Sequence, residues 1–325
     1  MESQTNSATS HGASDDSAHH YSANNTYTSQ ATADTEKKWP QECANTDAYA
    51  QHASSPTENA RPPVTNNPHN TTTQVTGVAH QTIRPMHTLH GIGAAIPTLA
   101  DDRGAIDTNA HQKLARHLKT QGAQLILVGG TTGRGNTLGV LQRIALCETT
   151  TPTLPVICGI PHDRTNQIEQ IAKTGAKAAL IGWPHNTPVD NILHTNTICQ
   201  THGLQLVCYQ HTAHNVHINP NWATEMAKHG IMAKHSDPTA NLAKHLAQQG
   251  VGVFIGSTQL LPHTNEIGAI GVLNGAASIM FPTAHAATNG DNTAHQQMLD
   301  WETTQHANRI GAIEHTAWNI SRNHT

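Results

Sequence analysis

The sequence predicts an α/β protein, a (β/α)8 or TIM barrel with a short C-terminal helical extension and a disordered N-terminal leader. Three observations carry that reading. Composition changes abruptly at Leu89. From there, short strand-like runs alternate with segments of helical period, eight times over, each pair taking about 20 to 30 residues. The strand-like runs are continuously apolar rather than alternating, as parallel strands covered on both faces are.

Residues 1 to 88 contain no leucine, no phenylalanine and a single isoleucine, Ile83. Stretches such as Asn66-Asn67-Pro68-His69-Asn70 followed by Thr71-Thr72-Thr73 bury too little apolar surface to offset chain entropy. They read as an unstructured leader. The domains expected are therefore the leader over 1–88, the barrel over 89–282 and the helical extension over 283–325.

The candidate strands are Gly91 to Ile96, Gln124 to Gly129, Leu154 to Gly159, Lys177 to Gly182, Leu204 to Tyr209, Gly230 to Lys234, Val251 to Gly256 and Ile267 to Leu273. Helices fall between them. Asn109 to Gln121 carries Leu114 and Leu118 four apart, and Pro238 to Gln249 carries Leu242 and Leu246 at the same spacing. Asp237 is the expected N-cap of the latter helix, with Pro238 in its first turn and Gly250 at its end. Gly275 to Phe281 is the expected eighth helix. After a polar break at Asn289-Gly290-Asp291, the chain reads as helical from Thr293 to about His315.

Composition narrows the function. Charged residues make up 12% of the 325, the formal net charge is −4, and no Lys/Arg block stands out. Nucleic acid and anionic membranes are poor partners for such a surface. No apolar run has the length of a membrane span, and the first thirty residues lack the apolar centre of a secretory signal. The 26 histidines show no tight HxxxH pairing, which argues against a zinc site. Five cysteines, an odd number with several in apolar runs, suit buried thiols in a reducing cytoplasm.

In a parallel barrel the loops after the strands share one face, and that face carries the chemistry. Lys234 ends the sixth strand, Tyr209 the fifth, and Thr131-Thr132 follow the second. A lysine at the tip of a buried strand meets low dielectric, which frees its lone pair for attack on a carbonyl. A solvated loop lysine is the plainer alternative. Tyr209 is the barrel's only phenol, since Tyr21, Tyr27 and Tyr49 lie in the leader; as a core tyrosine it would serve packing and one hydrogen bond. The loop Gly129-Gly130-Thr131-Thr132-Gly133-Arg134-Gly135-Asn136-Thr137-Leu138 can turn its backbone N–H groups on an anion. It is neither a Walker A nor a G-x-G-x-x-G sequence, so a carboxylate is the expected guest and a sugar phosphate the alternative.

Gly130-Thr131-Thr132-Gly133 with Thr137-Leu138 resembles the G-T-T-G-E-x-x-T-L signature of the dihydrodipicolinate synthase / N-acetylneuraminate lyase family of class I aldolase-type barrels. Leu204 to Tyr209 is similar to the strand carrying that family's Tyr-Asn-x-Pro motif, and Ile231 to Ser236 to its G-I-K-D-S segment. Gly104-Ala105-Ile106-Asp107 and Gly268 to Asn274 match an early and a late motif, and the resemblance runs from about Gly91 to Trp301. It implies that Lys234 condenses with pyruvate or another 2-oxo acid as a Schiff base. Tyr209 would move the proton in a relay through Thr131, while Thr132 and the loop N–H groups around Gly133 would hold the carboxylate. The backbone of Leu273 would lie beside the keto acid. No metal or organic cofactor is implied, and a homo-oligomer, dimer or tetramer, is.

Departures cluster at the second-substrate end. The family's glutamate after T-T-G is Arg134, and the aspartate after its lysine is His235. The arginine that takes a distal carboxylate is absent after Gln210-His211-Thr212-Ala213, leaving His214 as the nearest substitute. Gly182-Trp183-Pro184-His185-Asn186-Thr187-Pro188 lacks the relay tyrosine given to a neighbouring subunit. The expected activity is thus a lyase or aldolase of unfixed acceptor, the alternative a degenerate, non-catalytic barrel with a binding or regulatory role.

Overall fold

The structure is a computed structural model that describes residues 89–101 and 103–323. The leader predicted over 1–88 lies outside the described residues.

Eight parallel strands close into the predicted barrel in sequence order: β1 (Gly91–Ala95), β2 (Leu125–Val128), β3 (Val156–Gly159), β4 (Ala178–Gly182), β5 (Gln205–Gln210), β6 (Met232–His235), β7 (Val253–Ile255) and β8 (Gly271–Asn274). Their apolar continuity has the predicted cause. One set of side chains, including Ile126, Val156, Ala179, Leu206 and Val253, packs outward against the helices. The other set, including Leu127, Ile157, Leu180, Val207, Met232, Phe254 and Leu273, fills the barrel's interior. Ring closure needs a side chain missing on β8: a Cβ on Gly271 would run into the backbone of Gly91 on β1.

The helices are α1 (Thr108–Thr120), α2 (Val140–Thr150), α3 (Ile168–Lys173), α4 (Val189–Thr201), α5 (Ala223–Lys228), α6 (Asn241–Gln248), α7 (Thr264–Ile267), α8 (Phe281–Thr288), α9 (Asn292–Thr304) and α10 (Arg309–Asn323). Asp107 caps α1 by accepting the Ala110 N–H at 2.8 Å, and Leu114 and Leu118 are fully buried, as their spacing requires.

Four expectations fail locally. Asp237 does not cap α6, whose N-cap is Ala240. Its carboxylate accepts from Gln210 Nε2, Thr212 N and Thr212 Oγ1 at 2.7–2.8 Å, because the folded-back loop after β5 offers donors closer than the helix end. Ile267 ends α7 instead of starting β8, with Gly268 (φ 77°) as the left-handed terminator. Gly275 to Phe281 forms only a 3-10 turn at Ala276–Ser278, and α8 begins beside Pro282, which is suited to a first helical turn. The C-terminal segment breaks at residues 305–308 into α9 and α10, and α10 packs on α1.

Candidate active site

The site begins with register. Tyr209 on β5 and Lys234 on β6 are paired neighbours across the sheet, and both point inward, above Val207 and Met232 on the same strands. The Lys234 Nζ stands 4.5 Å from the centre of the Tyr209 ring and donates to Ser236 Oγ at 2.8 Å. A methyl on Gly256, just past β7, would stand 2.7 Å from that Nζ and collide with Ser236 Oγ. The absence of a side chain there gives the amine its room.

Lys234 is 5% exposed. Burial first, and the positive charge of Arg309 second, pull its pKa from 10.5 to about 7. An ammonium loses hydration in this setting and has no carboxylate partner among the described residues to compensate, so a large neutral fraction is expected at neutral pH. The opposite shift holds for Tyr209: burial raises its phenol, against hydrogen bonds from Thr131 and Ser236 that favour the phenolate. Thr131 Oγ1 and Tyr209 OH are 3.3 Å apart.

The loop between β2 and α2 brings Thr131 and Thr132 to the same cavity. Its tight path rests on Gly129 (φ 61°) and on Gly135, where a Cβ would strike the Gly129 carbonyl. Beneath it, the fully buried Arg143 of α2 donates to the carbonyls of Gly135, Leu138 and Gly159. Arg134 sits in the left-handed region (φ 50°), unusual without a glycine, and makes a two-point ion pair with Glu314 of α10. The charge reversal noted in the sequence is thereby matched by a carboxylate from the C-terminal helix.

A cavity of about 440 Å³ joins Thr131, Thr132, Tyr209, Lys234, His211 and His214. Of the predicted site residues, Gly133 and Leu273 are the two off its wall. Gly133 is within the loop, its carbonyl accepting from Thr98 Oγ1 at 2.6 Å, and Leu273 is in the barrel's interior packing. His214 does line the cavity, with its pKa lowered by burial and by Lys234; His211 beside it falls to about 4, chiefly by burial. Both imidazoles are then uncharged at pH 7, and neither can act as a cationic clamp.

Sequence reasoning missed most of the opposite wall. Ser257, Thr258 and Gln259 come from the loop after β7, while Glu302 and Thr303 of α9 and Arg309 of α10 close over the strand ends. Glu302 Oε1 accepts from Thr258 Oγ1 and Arg309 Nη2, each at 2.6 Å, and Thr258 Oγ1 in turn accepts from Asn274 Nδ2 at 3.0 Å. No motif joins these positions in the sequence. Among the described residues, no three His, Cys, Asp or Glu side chains are grouped as metal ligands, and no helix is long and apolar enough to cross a membrane.

Residues 88–305 match the dihydrodipicolinate synthetase family. A 4-hydroxy-tetrahydrodipicolinate synthase 2 from Streptomyces coelicolor is 25% identical over 205 residues, covering 58% of this chain and 68% of that protein. A 4-hydroxy-tetrahydrodipicolinate synthase from Anaeromyxobacter sp. strain K is 32% identical over 173 residues, covering 50% of this chain and 58% of its relative. Among solved structures, an Escherichia coli K12 prophage protein of the dihydrodipicolinic acid synthase family, in complex with pyruvate, superimposes with a TM-score of 0.62 at 15% identity, over 70% of this chain and 87% of the other. At that identity the likeness is one of fold.

Proposed function

The chain belongs to the dihydrodipicolinate synthetase family and is a lyase of that family's aldolase type, and from that premise we propose that Lys234 forms a Schiff base with pyruvate or a related 2-oxo acid. The observation that carries the reading is the amine itself: an inward lysine, brought to about 7 by burial and a neighbouring cation, lying against a phenol and a hydroxyl in one cavity. Its lone pair adds to the C2 carbonyl, and the carbinolamine loses water to an iminium. Release of a C3 proton then leaves an enamine, whose carbon attacks an aldehyde; the reverse sequence cleaves the bond. Tyr209 accepts and returns the protons as general acid and base, with Thr131 as the next hydroxyl in the relay. Thr132 and the loop amides take the carboxylate.

The acceptor is left open by His211 and His214, which replace a cationic clamp with two uncharged rings. The four described cysteines are buried free thiols, which supports a reducing, cytoplasmic setting; assembly into dimers or tetramers is part of the same proposal.

Borohydride added to the protein with pyruvate should fix an adduct whose mass maps to Lys234. Absence of that mass shift, with the protein folded, leaves the non-catalytic binding barrel as the better reading.

A further inference from the structure

The family signature assigns the keto acid's carboxylate to Thr132 and the loop amides, all uncharged groups. The structure adds a cation to that end of the cavity. A methyl built on Gly275, the residue after β8, would stand 2.6 Å from Thr132 Oγ1 and 3.6 Å from Arg309 Nη2. The bare Gly275 backbone therefore leaves a notch bordered by a hydroxyl and a guanidinium. The two polar atoms are no farther apart than those two lengths laid end to end. A carboxylate engaged through both oxygens spans that gap with two ordinary hydrogen bonds.

Arg309 has donors to spare. Its guanidinium carries five N–H groups, of which Nη2 serves Glu302, while Nε is buried with no hydrogen-bond partner. Glu302 is in turn held by the Thr258 hydroxyl, so it fixes the guanidinium through Nη2. The side chain is 36% exposed, open to a ligand yet close enough to Lys234, Tyr209 and His211 for its charge to be felt at all three.

We propose that Arg309, delivered by the C-terminal helix α10, is a substrate-binding residue: the 2-oxo acid's carboxylate lies in the notch over Gly275, one oxygen on Thr132 and the other on the Arg309 guanidinium. This rests on the Schiff-base reading for the ligand's identity, not for the existence of an anion site. It makes the helical extension part of substrate selection, and it means that the cation missing after β5 is replaced by one that grips the first substrate.

The test compares pyruvate with its uncharged methyl ester in borohydride trapping of the full chain. In Arg309→Met, after allowance for the neutral fraction of Lys234 read from each protein's own pH profile, the pyruvate concentration giving half-maximal adduct should rise by about 10- to 100-fold, the worth of one charge-assisted hydrogen bond, while that for methyl pyruvate should change less than about twofold. Equal losses for both probes, or none for either, overturn the proposal. Should Arg309→Met not fold, Arg309→Gln, which keeps a neutral donor beside Glu302, decides by the same comparison: a loss selective for pyruvate supports the assignment, and equal losses or none overturn it. If wild-type protein forms no adduct with either probe, the Schiff-base reading has failed on its own. Pyruvate binding to Lys234→Ala, measured by calorimetry with and without Arg309→Met, then decides the anion site: loss of binding on removing Arg309 supports it, and no pyruvate binding, or binding indifferent to Arg309, overturns it.

Discussion

Lys234 owes its lowered pKa to two causes of different kinds, the burial that strips water from it and the charge of Arg309. Below about pH 7 the amine is protonated and cannot attack; above it the lone pair is free. The rate of pyruvate-dependent trapping should therefore rise with pH through about 7 and level off, and Arg309→Met, which removes a cause that lowers the pKa, should move that rise to higher pH. Tyr209→Phe keeps the ring beside the amine but deletes the proton carrier, so turnover with an acceptor aldehyde should fall by about 10²- to 10⁴-fold while the Lys234 adduct still forms. Gly256→Ala places a methyl 2.7 Å from Nζ; a cost of about 1–3 kcal/mol in denaturant unfolding should accompany a drop in trapping. Lys234 and Tyr209 were legible in the sequence because each follows an apolar strand run and one of them is the barrel's only phenol. Arg309 was not: it opens a helix late in the chain, with nothing nearby in sequence to mark it as part of a cavity.

Between residue and barrel stands the loop from β2 to α2, shaped from below by one buried guanidinium. Arg143→Met would strip one donor from each of the carbonyls of Gly135, Leu138 and Gly159; Leu138 keeps Arg164 Nη1 and Gly135 keeps the Leu138 N–H, so Gly159 is the carbonyl left without an N–H donor, at a cost of about 1–3 kcal/mol. Unfolding should shift by about that amount, with pyruvate affinity falling as the loop loses its path. The Arg134–Glu314 pair, 38% and 22% exposed, is a milder tie, and a double-mutant cycle on it should yield a coupling of about 0.5–1 kcal/mol. The existence of the elements was readable from period and apolarity, while their ends depended on competition invisible along the chain. Asp237 preceded a helix and had the chemistry of a cap, yet the Thr212 amide and hydroxyl lay nearer. Gly268 and Pro282 were the punctuation that placed β8 and α8, and only the packed structure shows them outranking the apolar runs around them.

Over the whole molecule, a lysine kept neutral inside the barrel is a pH-dependent liability. Unfolded, it holds its proton up to about 10.5; folded, only to about 7. Between those values the unfolded chain binds more protons, so this group makes stability rise with pH, and below about 7, where both states are protonated, its contribution no longer changes. Denaturant midpoints compared at about pH 7 and pH 9 should show wild-type protein gaining on Lys234→Met over that interval. The barrel was predictable from sequence because eight buried strands write the same apolar run eight times, whereas the wall from α9 and α10 had no repeat to betray it. Beneath the amine, Val207, Met232, Phe254 and Leu273 seal the barrel with 0–4% of their surface exposed. On the proposed mechanism, an enamine formed on that dry floor would meet solvent only from above, on the side where an aldehyde would also have to arrive. Deuterium from heavy water should accordingly wash into pyruvate's methyl group when the keto acid is supplied alone, and that exchange, followed by proton NMR, should slow as an aldehyde crowds the same passage.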